Sequence, residues 1–440
     1  MIKRKNKFFV IGIAAVVLAS GTITMNSASA NNTICPRFSG ELTVLSTVIL
    51  EKPDGAVEQA IADKFMKACP NIKIKYIGVP ANDLVTKLTT MAIGGNVPDM
   101  YASSPSVTVR LRSLGIPLEL RAALGRDFMS GFSKEVLAEQ TLKGGGVYAA
   151  PWFSIPTAIL YRTDLFAAAG VKPPKTFEEF ITVCKALTKD TNGDGKIDQY
   201  GWAMVGTDNG SGQGRFNTIA RNMGAVDLSQ DRRGNWSTQI DSPGWKAALK
   251  LYKDAVDVGC VPPGQFQTGY PEASVQIGKG QAAMMITGPH TIGVALAANP
   301  AAKGKIAGAP IPSAPGVAPT TALNQSGYGI ALASKNRAAA IAYLKFMLNK
   351  ENQLAINDVT YRIPSRLDAQ ADPQVNSEMS QGFVKAGEGK TYSDPRVPWY
   401  TSILTLSSPA YQAAIKGDKT IDQIAKEQGD KAKKIIADNK

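Results

Sequence analysis

The chain has 440 residues, with 49 lysines and arginines against 36 acidic residues and a formal charge of +13. That length holds two or three domains of average size. The basic excess is not gathered into a lysine and arginine stripe, which argues against a nucleic-acid face, and the single histidine, His290, excludes a two-histidine metal site.

The first thirty residues read as a secretory leader. Lys3, Arg4, Lys5 and Lys7 form a charged start, Phe8 to Ser20 an apolar core, and Ala28-Ser29-Ala30 a small-residue cleavage site. The apolar core is shorter than the ~20 residues a spanning helix needs. Cleavage after Ala30 removes four positive charges and leaves +9, a balance compatible with an ordinary solvated surface or with an anionic solute. Cys35 lies in Thr33-Ile34-Cys35-Pro36, which is not a lipidation box, so the expected product is an unlipidated periplasmic protein.

Strand and helix signals then alternate, which argues for α/β layers. The first unit is a strand over 41–46, a helix over 56–68, a strand over 72–79 and a helix over 82–93, the last with Leu84, Leu88 and Met91 on one face. Gly94 to Pro98 is a loop, and a third strand begins at Met100. Gly144-Gly145-Gly146 makes a turn, Val147 to Ala149 a short apolar run broken by Pro151, and Ala158 to Tyr161 a further strand. Asp164 is placed to cap a helix that Gly170 ends, and Thr176 with Glu179 forms a capping box for the next. Helices are expected over 243–258 and 420–437, and a buried strand over Ala282 to Ile286. Residues 307–321, rich in Pro, Ala and Gly, read as an extended connection.

All four cysteines fall in the secreted part, where disulfides form. Cys35 precedes the first strand and Cys69 ends the first helix, positions at the same sheet edge in a parallel strand-helix-strand unit. Cys184 lies on the helix that Thr176 starts, and Cys260 ends the helix over 243–258. Cys35–Cys69 with Cys184–Cys260 is the favoured pairing among three connectivities that spacing leaves open.

Four blocks occur in the order found in the solute-binding proteins of ABC importers, family 1, of the maltose-binding type. The first runs from Gly144 to Leu187 and resembles the family's crossing between lobes, with Tyr161-Arg162 departing from the usual Tyr-Asn. The second is Lys279 to His290, where His290 stands in place of the family's Trp after Gly-Pro. The third is Gly327 to Leu348, a strand and helix, and the fourth Asp394 to Ile415 with the final helix. The resemblance implies a two-lobed α/β periplasmic-binding-protein fold of type II-like form, with a mixed β-sheet core in each lobe and a ligand cleft at the hinge. It places 31–150 and 285–326 in an N-terminal lobe, and 151–284 and 327–440 in a C-terminal lobe. It also implies a small-molecule solute, an ABC permease and its ATPase subunits as partners, and a monomer that requires no cofactor.

In α/β layers the cleft lies beyond the carboxyl ends of strands. Thr47, Glu51, Tyr101 and Ser104 follow strands one and three and carry groups suited to hydroxyls. Trp152, Trp399 and Tyr400 are candidates to stack on a sugar face. His290 and Tyr328 fall within family blocks, and Arg215 and Arg362 are candidates to hold a carboxylate or phosphate. Asp190, Asn192, Asp194, Lys196 and Asp198 read as a structural calcium loop without the closing Glu.

The leading function is capture of a sugar, polyol or related solute for import. Absence of G-x-x-x-x-G-K-[ST] excludes the transport ATPase itself, and neither G-x-S-x-G nor H-E-x-x-H supports hydrolysis. A secreted carbohydrate-active enzyme, or an adhesin or sensor partner on the same fold, is the alternative.

Overall fold

The computed structural model describes residues 35–142 and 144–439; the leader and its cleavage site lie outside them. Among the described residues fourteen strands form: β1 Gly40–Ser46, β2 Ile72–Gly78, β3 Met100–Ser103, β4 Ala150–Ser154, β5 Ala158–Arg162, β6 Tyr200–Trp202, β7 Ser229–Gln230, β8 Trp236–Ser237, β9 Ala282–Thr287, β10 Ile306–Ala309, β11 Thr320–Ala322, β12 Ser326–Ile330, β13 Ile363–Pro364 and β14 Lys390–Tyr392. They build two mixed sheets. One is ordered β13-β4-β12-β3-β1-β2 and the other β10-β5-β9-β6, with small two-stranded pairs β11-β14 and β7-β8.

Each sheet has its own core. Leu42, Val44 and Leu45 of β1 are fully buried against Ile61, Ala62 and Phe65 of the helix Asp54–Ala68 and against Tyr343 and Leu344 of the helix Arg337–Met347. Phe65 meets Tyr343 at 5.0 Å between ring centres. Each fully buried Leu, Val, Ile or Phe side chain among these contributes about 1.5–3 kcal/mol. The second core gathers Trp202, Phe216, Trp245, Tyr252 and Tyr411, with Tyr252 stacked on Tyr411 at 5.3 Å.

Strand membership corrects the expected lobe boundaries. The strand expected over Ala282 to Ile286, across the boundary drawn at 285, forms as Ala282–Thr287 and is central in the second sheet, antiparallel to β5 and parallel to β6. Its six residues are buried on both faces, so its apolar run marks a central strand without saying of which sheet. β10 also pairs with β5, so most of 285–326 belongs with the second sheet. Conversely β12 pairs with β3 and β4, and the helices Arg337–Met347 and Lys350–Thr360 pack in the first core. β4 likewise belongs wholly to the first sheet, which moves the first crossing from 150 to the three residues after Ser154.

Helix starts follow the sequence with one exception. Thr176 accepts from the Glu179 N–H at 3.1 Å, while the Glu179 carboxylate reaches one residue further back, to the Lys175 N–H at 2.7 Å. Asp164 does not cap; it pairs with Arg162, a buried guanidinium that takes the carboxylate at 2.7 Å. The disulfides are Cys35–Cys69 and Cys184–Cys260.

Candidate functional site

The chain leaves the first sheet at Ser154 and enters the second at Ala158, so Ile155-Pro156-Thr157 is one hinge segment. The returning segment lies beside it: the Ile155 N–H donates to the Leu323 carbonyl at 2.7 Å and the Thr157 N–H to the Ala322 carbonyl at 3.1 Å. Asn324 turns between them with φ of 45°, a left-handed conformation that Asn tolerates, and donates to Thr157 Oγ1 at 3.0 Å. Gly288 also has to be glycine here, because a Cβ would lie 2.0 Å from Ile155 Cγ2.

Two adjoining chambers of about 250 and 230 Å³ open over this hinge and share Asn324, Tyr392 and Asp394. In the first, the second-lobe wall is the start of the helix Gly210–Asn222, which Asn209 caps by accepting from the Ser211 and Gly212 N–H groups. Asn217 projects from the same helix, buried, with an Nδ2 that has no partner. The second chamber reaches the first lobe at Ser104, Ser106 and Glu139, and includes Gln325, whose buried Nε2 is also without a partner. Unpaired buried donors beside carboxylates suit hydroxyl groups, which give and accept hydrogen bonds at one atom.

Asp394 is the central charge. Burial, reinforced by the neighbouring Asp227 carboxylate, raises it from 3.8 to about 6, and Arg221 only partly offsets this. Arg221 is itself spent on Asp227, which Tyr400 also holds by donating to Oδ2 at 2.6 Å. Tyr392, with its ring under Arg221 at 4.1 Å and its hydroxyl 2.8 Å from Thr218 Oγ1, is a fixed aromatic wall common to both chambers.

Of the residues singled out in the sequence, Ser104, Arg215, His290 and Tyr400 line these chambers. Ser104 also caps the helix Pro105–Ser113. Arg215 is not a free anion receptor: Nε donates to the Ile286 carbonyl, Nη1 to the Ser211 carbonyl and Nη2 to Thr287 Oγ1, each at 2.9 Å. It pins the helix to β9. His290 stacks on Tyr270 at 4.8 Å, and its Nδ1 is unpartnered. Burial, then the nearby Arg362 and Arg215 guanidiniums, push it well below 6.5, so it is neutral at physiological pH.

The other candidates lie elsewhere, each for a physical reason. Tyr101, Trp152 and Tyr328 are within the first core, at 1%, 0% and 1% exposure, so they hold the sheet rather than a solute. Tyr328 donates to Ser46 and Glu58. Glu51 and Arg362 neutralise each other at 2.9 Å, with Asp54 as the second partner of Arg362. Thr47 heads the short turn Val48–Leu50 without capping it. Trp399 packs edge-on against Trp236, ring centres 5.6 Å apart.

In the loop over 190–198, Asp190 accepts from the Gly193 and Gly195 N–H groups and Asp194 from that of Lys196. Asp198 holds Thr191 through both its N–H and its hydroxyl. Among the described residues no group of three or more His, Cys, Asp or Glu side chains is placed to hold a metal ion.

Sequence reasoning missed Glu139, Asn217, Asn324, Gln325, Tyr392 and Asp394. A signal existed for one of them: Gln213 and Asn217 are one helical turn apart, on a face otherwise carrying Phe216 and Ile219 into the core. The other residues come together only through the fold.

Residues 50–354 match the family of bacterial extracellular solute-binding proteins. The chain is 26% identical over 393 residues to a binding protein of Brucella abortus, covering 87% of this chain and 90% of that one. It is 23% identical to the diacetylchitobiose binding protein DasA of Streptomyces coelicolor, covering 90% and 91%. Its fold is similar to that of the GacH receptor of Streptomyces glaucescens, solved unliganded and with acarbose, at TM-score 0.79 and 22% identity over 91% of this chain and 99% of the other. No helix among the described residues is long and apolar enough to cross a membrane.

Proposed function

Since the chain belongs to the bacterial extracellular solute-binding proteins, we propose that it captures a neutral sugar or polyol in the hinge chambers and delivers it unaltered to the permease of an ABC importer. The observation that carries this is the mix of donors and acceptors on the chamber walls. Hydroxyls of Ser104 and Ser106, amides of Asn217, Asn324 and Gln325, and the Glu139 and Asp394 carboxylates line the chambers, while Arg215 and Arg362 are engaged by the protein itself. An anionic solute would meet two carboxylates and no uncommitted guanidinium; a polyhydroxyl solute meets both donors and acceptors.

Both lobes supply lining residues, so a solute that touches both favours the closed arrangement over the open one. The sugars named for DasA and GacH support the class. In this reading the leader directs the chain to the periplasm, the protein works as a monomer, and separate ATPase subunits energise transport. The loop over 190–198, if it takes calcium, does so as a structural element.

One observation favours a second reading: Glu139 and Asp394 line one chamber, and glycoside hydrolysis uses paired carboxylates. Isothermal titration of the refolded protein with neutral mono- and disaccharides, followed by chromatography of the recovered sugar, decides between them. Saturable binding with intact sugar supports capture, whereas a shortened or epimerised product supports catalysis.

A further inference from the structure

Beyond the two inner chambers lies a larger groove of about 1160 Å³, whose lining includes the apolar Trp236, Leu142 and Pro398 and the basic Arg112, Arg121 and Lys134. The same two pieces of chain line both spaces. From the first lobe, the helix Lys134–Gln140 turns Glu139 to the inner chamber and Ala138 to the outer groove. From the second lobe, Ser393 and Asp394 face inward while Arg396, Val397 and Pro398 face outward.

Where these two pieces meet, they are bonded across the cleft. Ser393 Oγ donates to the Glu139 carboxylate, and the Arg396 guanidinium donates from Nη2 to the Ala138 carbonyl and from Nη1 to the Thr141 carbonyl. The two carbonyls belong to the last turn of that helix and the residue after it, where the helix's negative end attracts a cation; the Ala138 carbonyl also accepts from the Thr141 N–H at 3.3 Å. No other described hydrogen bond uses the Arg396 guanidinium.

We propose that the Ser393–Arg396 segment is a gate that sets solute length: closed, it walls the inner chambers off and admits one or two sugar rings, and a longer neutral oligosaccharide has to displace Arg396 to run into the outer groove. This rests on the sugar reading above. Size supports it, since each inner chamber falls below the ~300 Å³ at which pockets for drug-sized ligands begin, while the outer groove offers ample room and a tryptophan wall on which a further ring can stack. The gate also contributes to closure, because its bonds exist only when the lobes meet.

The test uses the full mature chain, its Arg396→Ala variant and an Arg396→Lys control that keeps the charge but loses the two-carbonyl fork. Spin labels at exposed Ser113 and Arg233, one on each lobe, report the interlobe distance without any sugar. Arg396→Ala should lengthen and broaden that distance, with Arg396→Lys between the two. Titration with maltose, maltotriose and maltotetraose and with mannose, mannobiose and mannotriose then reads length. The native chain should favour one- and two-ring sugars. Arg396→Ala should weaken these about tenfold, the size of a lost charge-assisted contact, and narrow or reverse the preference over three- and four-ring sugars. An unchanged label distance, or the same length preference in the variant, overturns the gate. If no sugar binds the native chain but the label distance still responds to Arg396→Ala, the gate stands as a clasp and the sugar reading fails.

Discussion

Arg362 donates to Glu51 at 2.9 Å while its Nε holds Asp54, so a side chain that looks like an anion receptor in the sequence is the counter-ion of the first lobe's own loop. Arg362 and Asp54 are 5% and 4% exposed, and the guanidinium lies 4.5 Å over the Phe153 ring. A pair this buried is expensive to break on one side only.

Arg362→Met should therefore lower stability by about 3–5 kcal/mol, because Asp54 is left charged and unpaired. Urea unfolding measures this directly. The folded fraction should keep its solute affinity within about threefold, whereas an anion-binding arginine would lose affinity without losing stability.

Glu58 predicts a pH dependence of stability. It is fully buried, takes a hydrogen bond from Ser46 at 2.7 Å and another from Tyr328, and burial raises it from 4.5 to about 7 despite those donors. The folded state thus keeps a proton that the unfolded chain has lost. Its contribution is complete below about pH 4.5 and is lost as pH rises to about 7, a total of at most ~3 kcal/mol. Glu58→Gln should flatten this slope in unfolding curves taken between pH 4.5 and 7.5; an unaltered slope assigns the dependence to another group.

Asp394 predicts a pH dependence of binding. It ionises at about 6, facing Asp227, Arg221 and Glu139. A hydroxyl donates more strongly to a carboxylate than to a carboxylic acid, so affinity for a neutral sugar should rise between pH 5 and 7. Asp394→Asn should remove that rise and weaken binding at pH 7.5 by about tenfold. His290 adds no step of its own in this range, since burial and two arginines keep it neutral. Titration calorimetry at four pH values separates the two groups.

The bridge between Cys184 and Cys260 closes a segment of 76 residues within the second core. On loop-closure grounds its removal by a double Cys→Ala change should cost about 2–5 kcal/mol. The same change should leave the first lobe's hydrogen-exchange protection intact, because Leu42, Phe65 and Tyr343 pack in a separate core.

Much of the architecture is legible along the chain because it is written in local patterns. Exposed Lys73 and Lys75 alternate with buried Ile72 and Ile74, which marks a strand, and Thr176 and Thr420 each start a helix where a short polar side chain can take an N–H. The cysteine positions favour the pairing that forms without excluding the other two connectivities. Assignment of Ala282–Thr287 to a sheet is not legible, since a strand buried on both faces looks the same in either lobe. The site is less legible still. Arg215, Arg362 and Glu51 look available in sequence because their partners, Ile286, Asp54 and each other, come from distant segments. Asp394 and Gln325 look ordinary for the opposite reason: nothing near them in sequence tells that the fold leaves them facing a chamber.

Capture of a neutral solute is tested by a thermal-shift screen of the refolded mature protein against neutral sugars and polyols alongside sugar phosphates and sugar acids, refolding being used to strip any solute carried through purification. A solute that binds only the folded state raises the melting temperature. Shifts are expected among the neutral compounds and none among their anionic counterparts, because Asp394 and Glu139 face the chambers while Arg215 and Arg362 are spent. Shifts confined to the phosphates and acids would contradict neutral-solute capture.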